Sequence, residues 1–259
     1  MNELLTVLVV AHLLGDFYFQ SERVAAGKNR RAGSFIIHII VYWGACLLAM
    51  ASFWGNGAFA VSLAVAGAHL AVDLTKVAVV HSIGRIAGRS RDSDGAIGRK
   101  AYVVDQVAHA ACLVVVAYVA TFRYGFILRP TVAVATVTGN VGMDWTKTLA
   151  LVTMALFVGK PSNVTVRMLL ADYRPTVEGE DSSTVQRSGR FIGTLERLIL
   201  LVFLCLHQVA AMGLVLTAKS IARYDMIARN KAFAEYYLLG TLLSTLCVVG
   251  SYLPFASLL

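Results

Sequence analysis

Charge is scarce in this chain. Of 259 residues only 15% are Asp, Glu, Lys or Arg and 58% are hydrophobic, whereas a soluble globular chain carries about 25% charged and about 45–50% apolar residues. So much apolar side chain cannot be hidden in one soluble core of this size. That excludes an ordinary soluble enzyme, and the composition equally excludes a disordered chain or a collagen. Paired cysteines are also missing: Cys46, Cys112, Cys205 and Cys247 stand singly inside apolar runs, with no CxxC. A disulfide scaffold, an iron–sulfur centre and a thiolate zinc site are therefore excluded. No helix-turn-helix or RNA-reading motif accompanies the net charge of +8, so no nucleic-acid partner is expected. There is no internal repeat and no low-complexity tract. The opening Met1-Asn2-Glu3 lacks a basic leader, and the first apolar run carries His12 and Asp16. That run is expected to stay in the mature protein as a helix.

What the chain has instead is long apolar runs. Windows of about 20 apolar residues fall near 3–20, 34–54, 57–80, 101–122, 191–217 and 236–258. A further stretch, 126–159, is apolar but interrupted by Pro130, Gly139, Asn140, Gly142 and Asp144. It reads as one crossing (about 143–159) or as two short ones. The expected fold is all-α: a polytopic transmembrane helical bundle of seven or eight spans. It forms a single membrane domain over 1–259, with a four-helix N-terminal part over 1–122. The C-terminal helices, 123–259, carry a polar loop near 160–190.

The basic residues fall in the breaks. Loop 21–33 holds Arg23, Lys28, Arg30 and Arg31; loop 81–100 holds Arg85, Arg89, Arg91, Arg99 and Lys100; the link 55–56 has no charge. Lys and Arg mark cytoplasmic loops, so both basic loops are expected on the cytoplasmic side and the N-terminus outside. The sides of 160–190 and 219–235 depend on how 126–159 is threaded.

Polar residues inside the spans are the unusual feature, because an ionisable group at a helix centre costs at least ~2.5–3.5 kcal/mol and is a functional suspect by default. Three spans each carry a His and an Asp four residues apart: His12 and Asp16 followed by Gln20, His69 and Asp73 followed by Lys76, and Asp105 with Gln106 and His109. Residues four apart share one helical face. His38 adds an imidazole from the second span. At ~1.5 Å per residue, counting from the cytoplasmic ends puts the four imidazoles in one layer. Three chemistries suit such a layer. Imidazole and carboxylate bind zinc or another divalent transition metal, which would activate a water. The same groups can relay protons or ions. They can also form an internally satisfied network that only fixes helix packing. Lys76 is expected either to neutralise Asp73 one turn away or to hold an anionic head group.

These segments carry a resemblance. Ala11-His12-Leu13-Leu14-Gly15-Asp16-Phe17 with Gln20, His69-Leu70-Ala71-Val72-Asp73-Leu74-Thr75-Lys76, and Asp105-Gln106 with His109 resemble a family of bacterial membrane proteins, the domain of unknown function 3307. Gly189–Arg197, Ala218–Tyr224 and Glu235–Ser244 resemble its longer members. The chain departs at Gly15, where alanine is expected, and at His207, where a small or apolar residue is expected. The resemblance implies a polytopic inner-membrane protein and no particular activity.

The leading functional expectation is an intramembrane metal-dependent hydrolase acting on a lipid or lipid-linked phosphate, with membrane lipid as its partner. His12, Asp16, His69, Asp73, Asp105 and His109 would hold one or two ions of zinc or another divalent transition metal, with Asp16, Asp73 and Asp105 as the catalytic carboxylates. Gln20, His38, Lys76 and Gln106 would support the ligands or touch substrate. Lys219 and Arg223 would contact an anionic head group or anchor at the interface. The alternatives are an ion-coupled transporter or channel using the same residues as a relay, and a non-catalytic membrane scaffold.

Overall fold

The computed structural model describes residues 2–27, 31–53, 57–86, 93–140, 142–173 and 182–259. The basic positions Lys28, Arg30, Arg89 and Arg91, the link at 55–56 and residues 174–181 of the polar loop lie outside them. The described residues are helical and contain no strand. They group into two compact units, Met1–Thr153 and Met154–Leu259.

The first unit is built on four helices. They are α1 (Asn2–Leu13), running into a π-helical turn at Leu14–Tyr18, then α3 (Ala32–Ala51), α4 (Ala58–Ile86) and α5 (Ser93–Tyr118), with a short α2 (Glu22–Gly27) between the first two. α1 packs on α3 and α5, α3 on α4, and α4 on α5. The four long helices therefore close a ring around one axis.

Each inward stripe changes character halfway along. One half is apolar: Leu4, Leu8 and Ala11 of α1, Tyr42, Cys46 and Met50 of α3, Val61 and Val65 of α4, and Leu113 and Ala117 of α5. Continuing at the same helical spacing, the stripes become His12 and Asp16, His38, His69 and Asp73, and His109 and Asp105, all buried. The side chains facing away from the bundle stay apolar, for example Ile36, Ile40, Leu63, Val104, Val107 and Val115. A helix that is apolar all round, polar only toward a bundle interior, suits lipid rather than water.

Among the described residues five helices are long and apolar enough to cross a membrane: Ala32–Ala51, Ala58–Val79, Gly98–Arg123, Trp145–Leu169 and Lys231–Phe255. Within 126–159 the structure forms α6 (Val132–Asn140) and α7 (Trp145–Val158). α6 has nine residues, which at ~1.5 Å each fall well short of the ~30 Å hydrocarbon layer. After it comes one helix long and apolar enough to cross a membrane, Trp145–Leu169, in which α7 is prolonged by α8 (Lys160–Leu169).

The second unit contains the end of α7, α8, α9 (Ser182–Cys205), α10 (Val209–Ile221), α11 (Tyr224–Arg229) and α12 (Lys231–Tyr252). α9 packs on α8, α10 and α12, and α12 on α8 and α11. The apolar run 191–217, expected as one span, is broken in two. His207 sits at φ 57°. The Gln208 N–H donates to the Phe203 carbonyl at 2.8 Å and the His207 N–H to the Leu204 carbonyl at 3.0 Å. This pair of bonds is the Schellman termination, whose left-handed position glycine fills most easily. Here a histidine occupies it, where the resemblance suggests a small or apolar residue.

Candidate metal centre

The π-helical turn positions the first ligands. The Phe19 N–H donates to the Leu14 carbonyl at 2.8 Å, a five-residue loop of the kind that recurs at functional sites. It keeps Asp16, Phe17 and Gln20 buried after His12. Gly15 lies against α3: a β-carbon there would stand 2.7 Å from Tyr42 Cδ2 and 3.2 Å from Tyr42 Cα. The alanine expected from the resemblance does not fit, because the Tyr42 ring is itself stacked on His69 with centroids 3.5 Å apart and planes at 9°. Gly15→Ala is expected to destabilise the protein by about 1–3 kcal/mol, the usual range for overpacking. The thermal unfolding midpoint in detergent measures it; an unchanged midpoint would show that the α1–α3 contact yields freely.

The polar halves of the four helices meet. His38 Nε2 lies 2.9 Å from His69 Nε2, 3.0 Å from Asp73 Oδ2 and 3.4 Å from Asp16 Oδ1. His69 Nε2 lies 3.4 Å from Asp73 Oδ2 and 3.7 Å from Asp16 Oδ1. These atoms come from α1's π-turn, α3 and α4. Tetrahedral coordination with bonds of ~2.0–2.1 Å to nitrogen and oxygen gives ligand–ligand edges of about 3.3 Å. The observed separations scatter around that value.

The rest of the cluster surrounds this core. Gln20 Nε2 lies 3.1 Å from His38 Nδ1, the outer contact that orients a ligating imidazole. His12 Nδ1 lies 3.3 Å from the Tyr42 hydroxyl, and its Nε2 is 3.9 Å from Asp16 Oδ2. The His12 and His109 rings stack at 5.2 Å, and the His69 and His109 centroids are 4.3 Å apart. His109 Nδ1 donates to the Asp105 backbone carbonyl at 2.8 Å, which leaves Nε2 as the ring's acceptor. That Nε2 is buried and makes no hydrogen bond, and neither does Asp105 Oδ1. Three sets of buried donors, His12–Asp16–His69, His38–His69–Asp73 and Asp73–Asp105–His109, have ligand atoms within 4.8 Å of one another and could hold a metal ion.

Set against the sequence, the structure gathers all six expected ligands, His12, Asp16, His69, Asp73, Asp105 and His109, and two assignments change. His38, expected as a supporting or substrate contact, stands among the closest donor atoms, because α3 turns it inward between α1 and α4. Lys76 pairs across the helices with Asp105 Oδ2 at 2.7 Å, not with Asp73 on its own helix. Gln106 Nε2 also reaches Asp105 Oδ2, at 3.4 Å. Tyr42 was not foreseen, although it lies four residues from His38 and therefore on the same face. In the second unit, Lys219 is held by Glu196 at 2.6 Å and by the Thr241 hydroxyl at 3.2 Å, while Arg223 is exposed.

Fold and site together define an all-helical chain with membrane-length apolar helices and a buried His/Asp cluster able to hold a metal ion. The model of the family described as "Protein of unknown function (DUF3307)" matches residues 4–138, just over half of the chain, and this protein belongs to that family. The match covers every residue of the cluster. No curated protein and no solved structure matches the chain.

Proposed function

We propose that this protein is a membrane-embedded, metal-dependent hydrolase whose centre is held by His38, His69, Asp16 and Asp73. The observation that carries it is the buried His38–His69–Asp73 donor set, whose ligand atoms lie within 4.8 Å of one another, with Asp16 Oδ1 3.4 and 3.7 Å from the two imidazole nitrogens. Imidazole with carboxylate favours zinc among the common divalent ions. Such an ion supplies a nucleophilic water at neutral pH and polarises a phosphoryl oxygen.

The chain's own groups suggest how the site would work. Asp16 makes the longest contact of the set, 3.7 Å to His69 Nε2, beside one of 3.4 Å to His38 Nε2. It is the ligand that would most easily yield its place to water and then take up the water's proton as general base. His12, 3.9 Å from Asp16 and within reach of the Tyr42 hydroxyl, would pass that proton on. A substrate entering at the depth of the cluster would be a lipid or a lipid-linked phosphate in the cytoplasmic leaflet of a bacterial inner membrane, with the N-terminus on the outer side. The hydrolase reading is favoured over a relay by the apolar half of the bundle. Beyond the cluster the interior is lined by Leu4, Leu8, Cys46, Met50, Val65, Leu113 and Ala117, and among the described residues no buried Asp, Glu, Lys, Arg or His of the first unit stands in that half.

The test combines elemental analysis with turnover on lipid phosphates, for example phosphatidic acid and a polyprenyl diphosphate, in detergent or vesicles. The wild type is expected to hold zinc and release phosphate. Asp16→Asn, which keeps three ligands, is expected to hold zinc while losing turnover by roughly 100-fold or more, within the range for a general base. A wild-type protein that holds no divalent ion after reloading would overturn the proposal. So would metal-loaded protein inert on every lipid phosphate.

A further inference from the structure

The first unit contains a cavity that the metal centre does not use. It measures about 260 Å³ and lies between α1, α3, α6 and α7. One wall is Val7 and Val10 of α1 with Leu14 of the π-turn; Ala49 of α3, Val134 of α6 and Leu149 of α7 stand around the rest. Val10 precedes His12 by two residues, roughly half a helical turn, so the cavity lies on the side of α1 turned away from the cluster. The walls are fastened to each other near the end of α3. The Thr131 N–H donates to the Ser52 carbonyl at 3.2 Å, and the Phe53 and Trp145 ring centroids are 5.5 Å apart. Between α3 and α7 the space is open: Leu48 and Val152 line it and are 57% and 44% exposed.

The lining decides what belongs there. A buried water needs about two to four polar partners. Most of the lining is apolar, and two of its hydroxyls already serve their own helices: Thr138 Oγ1 donates to the Val134 carbonyl at 3.0 Å and Thr148 Oγ1 to the Asp144 carbonyl at 3.2 Å. Left empty, the space would deny its lining the dispersion contacts that a close-packed interior provides. An apolar cavity of ~150 Å³ already takes up benzene, and this one is larger. At ~1.5 Å per residue the wall from Val7 to Leu14 is about 10 Å long, which suits an extended chain better than a compact ring. The opening past Leu48 and Val152 lies on helices of membrane length, where the surrounding medium is lipid hydrocarbon.

We infer that this cavity is a binding site for one acyl chain of a membrane phospholipid, which enters sideways between α3 and α7 past Leu48 and Val152 and lies along the side of α1 opposite His12 and Asp16. The site stands apart from the metal centre, and the inference does not rest on that centre or on hydrolysis.

The experiment locates a labelled chain. Full-length protein in detergent, stripped of co-purified lipid, is titrated with a phosphatidylcholine that carries a diazirine on one acyl chain. After illumination, peptide mass spectrometry finds the labelled residues. Label on Val10, Leu14 and Leu149 is expected to saturate as lipid is added, whereas label on Val107, which faces outward from α5, keeps rising. Ala49→Phe and Val134→Trp fill the cavity from the α3 and α6 walls. Each is expected to cut the label on the lining residues by roughly tenfold or more and to leave that on Val107 unchanged. Lining residues that stay unlabelled in the wild type, or whose label rises without limit as at Val107, overturn the inference. So does lining label that persists at the wild-type level in a folded filling variant. If neither variant folds, the wild-type titration decides alone, because saturation at the lining against continued rise at Val107 is the signature of a bounded site.

Discussion

His38→Ala is expected to bind zinc at least ~100-fold more weakly than the wild type, whereas Gln20→Ala is expected to lose about 10–100-fold and His12→Ala less than either. This is the expected order, because loss of a partner behind a ligand already costs about 10–100-fold in affinity and loss of the ligand itself removes a bond to the ion. His38 Nε2 is the atom with the closest set of donor neighbours, at 2.9, 3.0 and 3.4 Å. Gln20, 3.1 Å from the other nitrogen of the same ring, holds the imidazole in orientation without touching the centre. His12 stands farther out, 3.9 Å from the nearer Asp16 oxygen, and its ring leans on Tyr42 and His109. Competition with a zinc-sensitive dye gives the three affinities, and circular dichroism establishes that each variant is folded. The reverse order, with His12→Ala losing zinc and His38→Ala keeping it, would move the centre to the His12–Asp16–His69 set and exclude the His38–His69–Asp73 set.

The difference between His38 and the other histidines explains what could be read from the sequence. His12, His69 and His109 each have a carboxylate four residues away, so one-dimensional spacing already places two potential ligands on one face. His38 has no such partner on α3. Its neighbours Asp16 and Asp73 arrive from other helices, and only the closed packing of α1, α3, α4 and α5 brings them within 3.4 Å. Lys76 illustrates the same limit: sequence pairs it with Asp73 one turn away, and the structure pairs it with Asp105 across an interface.

The apolar windows 34–54, 57–80 and 101–122 were legible because their lengths follow from hydropathy alone, whereas the window 3–20 forms the twelve-residue α1 and its π-turn. The break at His207 was not. Leu206-His207-Gln208 contains neither glycine nor proline, so nothing local announces the left-handed residue that ends α9. In the ambiguous stretch 126–159, α6 closes after nine residues, near the Gly139-Asn140 and Gly142 that interrupted the pattern.

The second unit holds the other large expected effect. Arg197 is 1% exposed, and its guanidinium ties together four helices. Nε donates to the Val158 carbonyl at 2.6 Å, Nη1 to the Ser244 hydroxyl at 3.0 Å, and Nη2 to Asn163 Oδ1 at 2.7 Å. The local sequence creates the need. Pro161 has no N–H to offer the α7 carbonyls, and Ser162 Oγ donates instead to the Phe157 carbonyl at 2.7 Å. The next carbonyl, Val158, receives the Arg197 Nε–H. A cation at a helix C-terminus also meets the negative end of the helix dipole, and the planar fork of arginine reaches several acceptors that one lysine ammonium cannot.

Arg197→Ala would leave a carbonyl, an amide oxygen and a hydroxyl buried without this donor, at about 1–3 kcal/mol for each buried group left unsatisfied. The expected loss is therefore about 3 kcal/mol or more, roughly 6–12 °C in the unfolding midpoint for a chain of this size. Arg197→Lys is expected to lose about half as much, since one ammonium can serve only part of the fork's acceptors. Thermal unfolding in detergent, followed by far-UV circular dichroism, measures both, and the zinc content of whatever remains folded is expected to match the wild type. A midpoint within about 2 °C of the wild type for Arg197→Ala would mean that water or lipid head groups satisfy these acceptors as well as the guanidinium does. The residue would then be a tolerated passenger in the second unit and not its clasp.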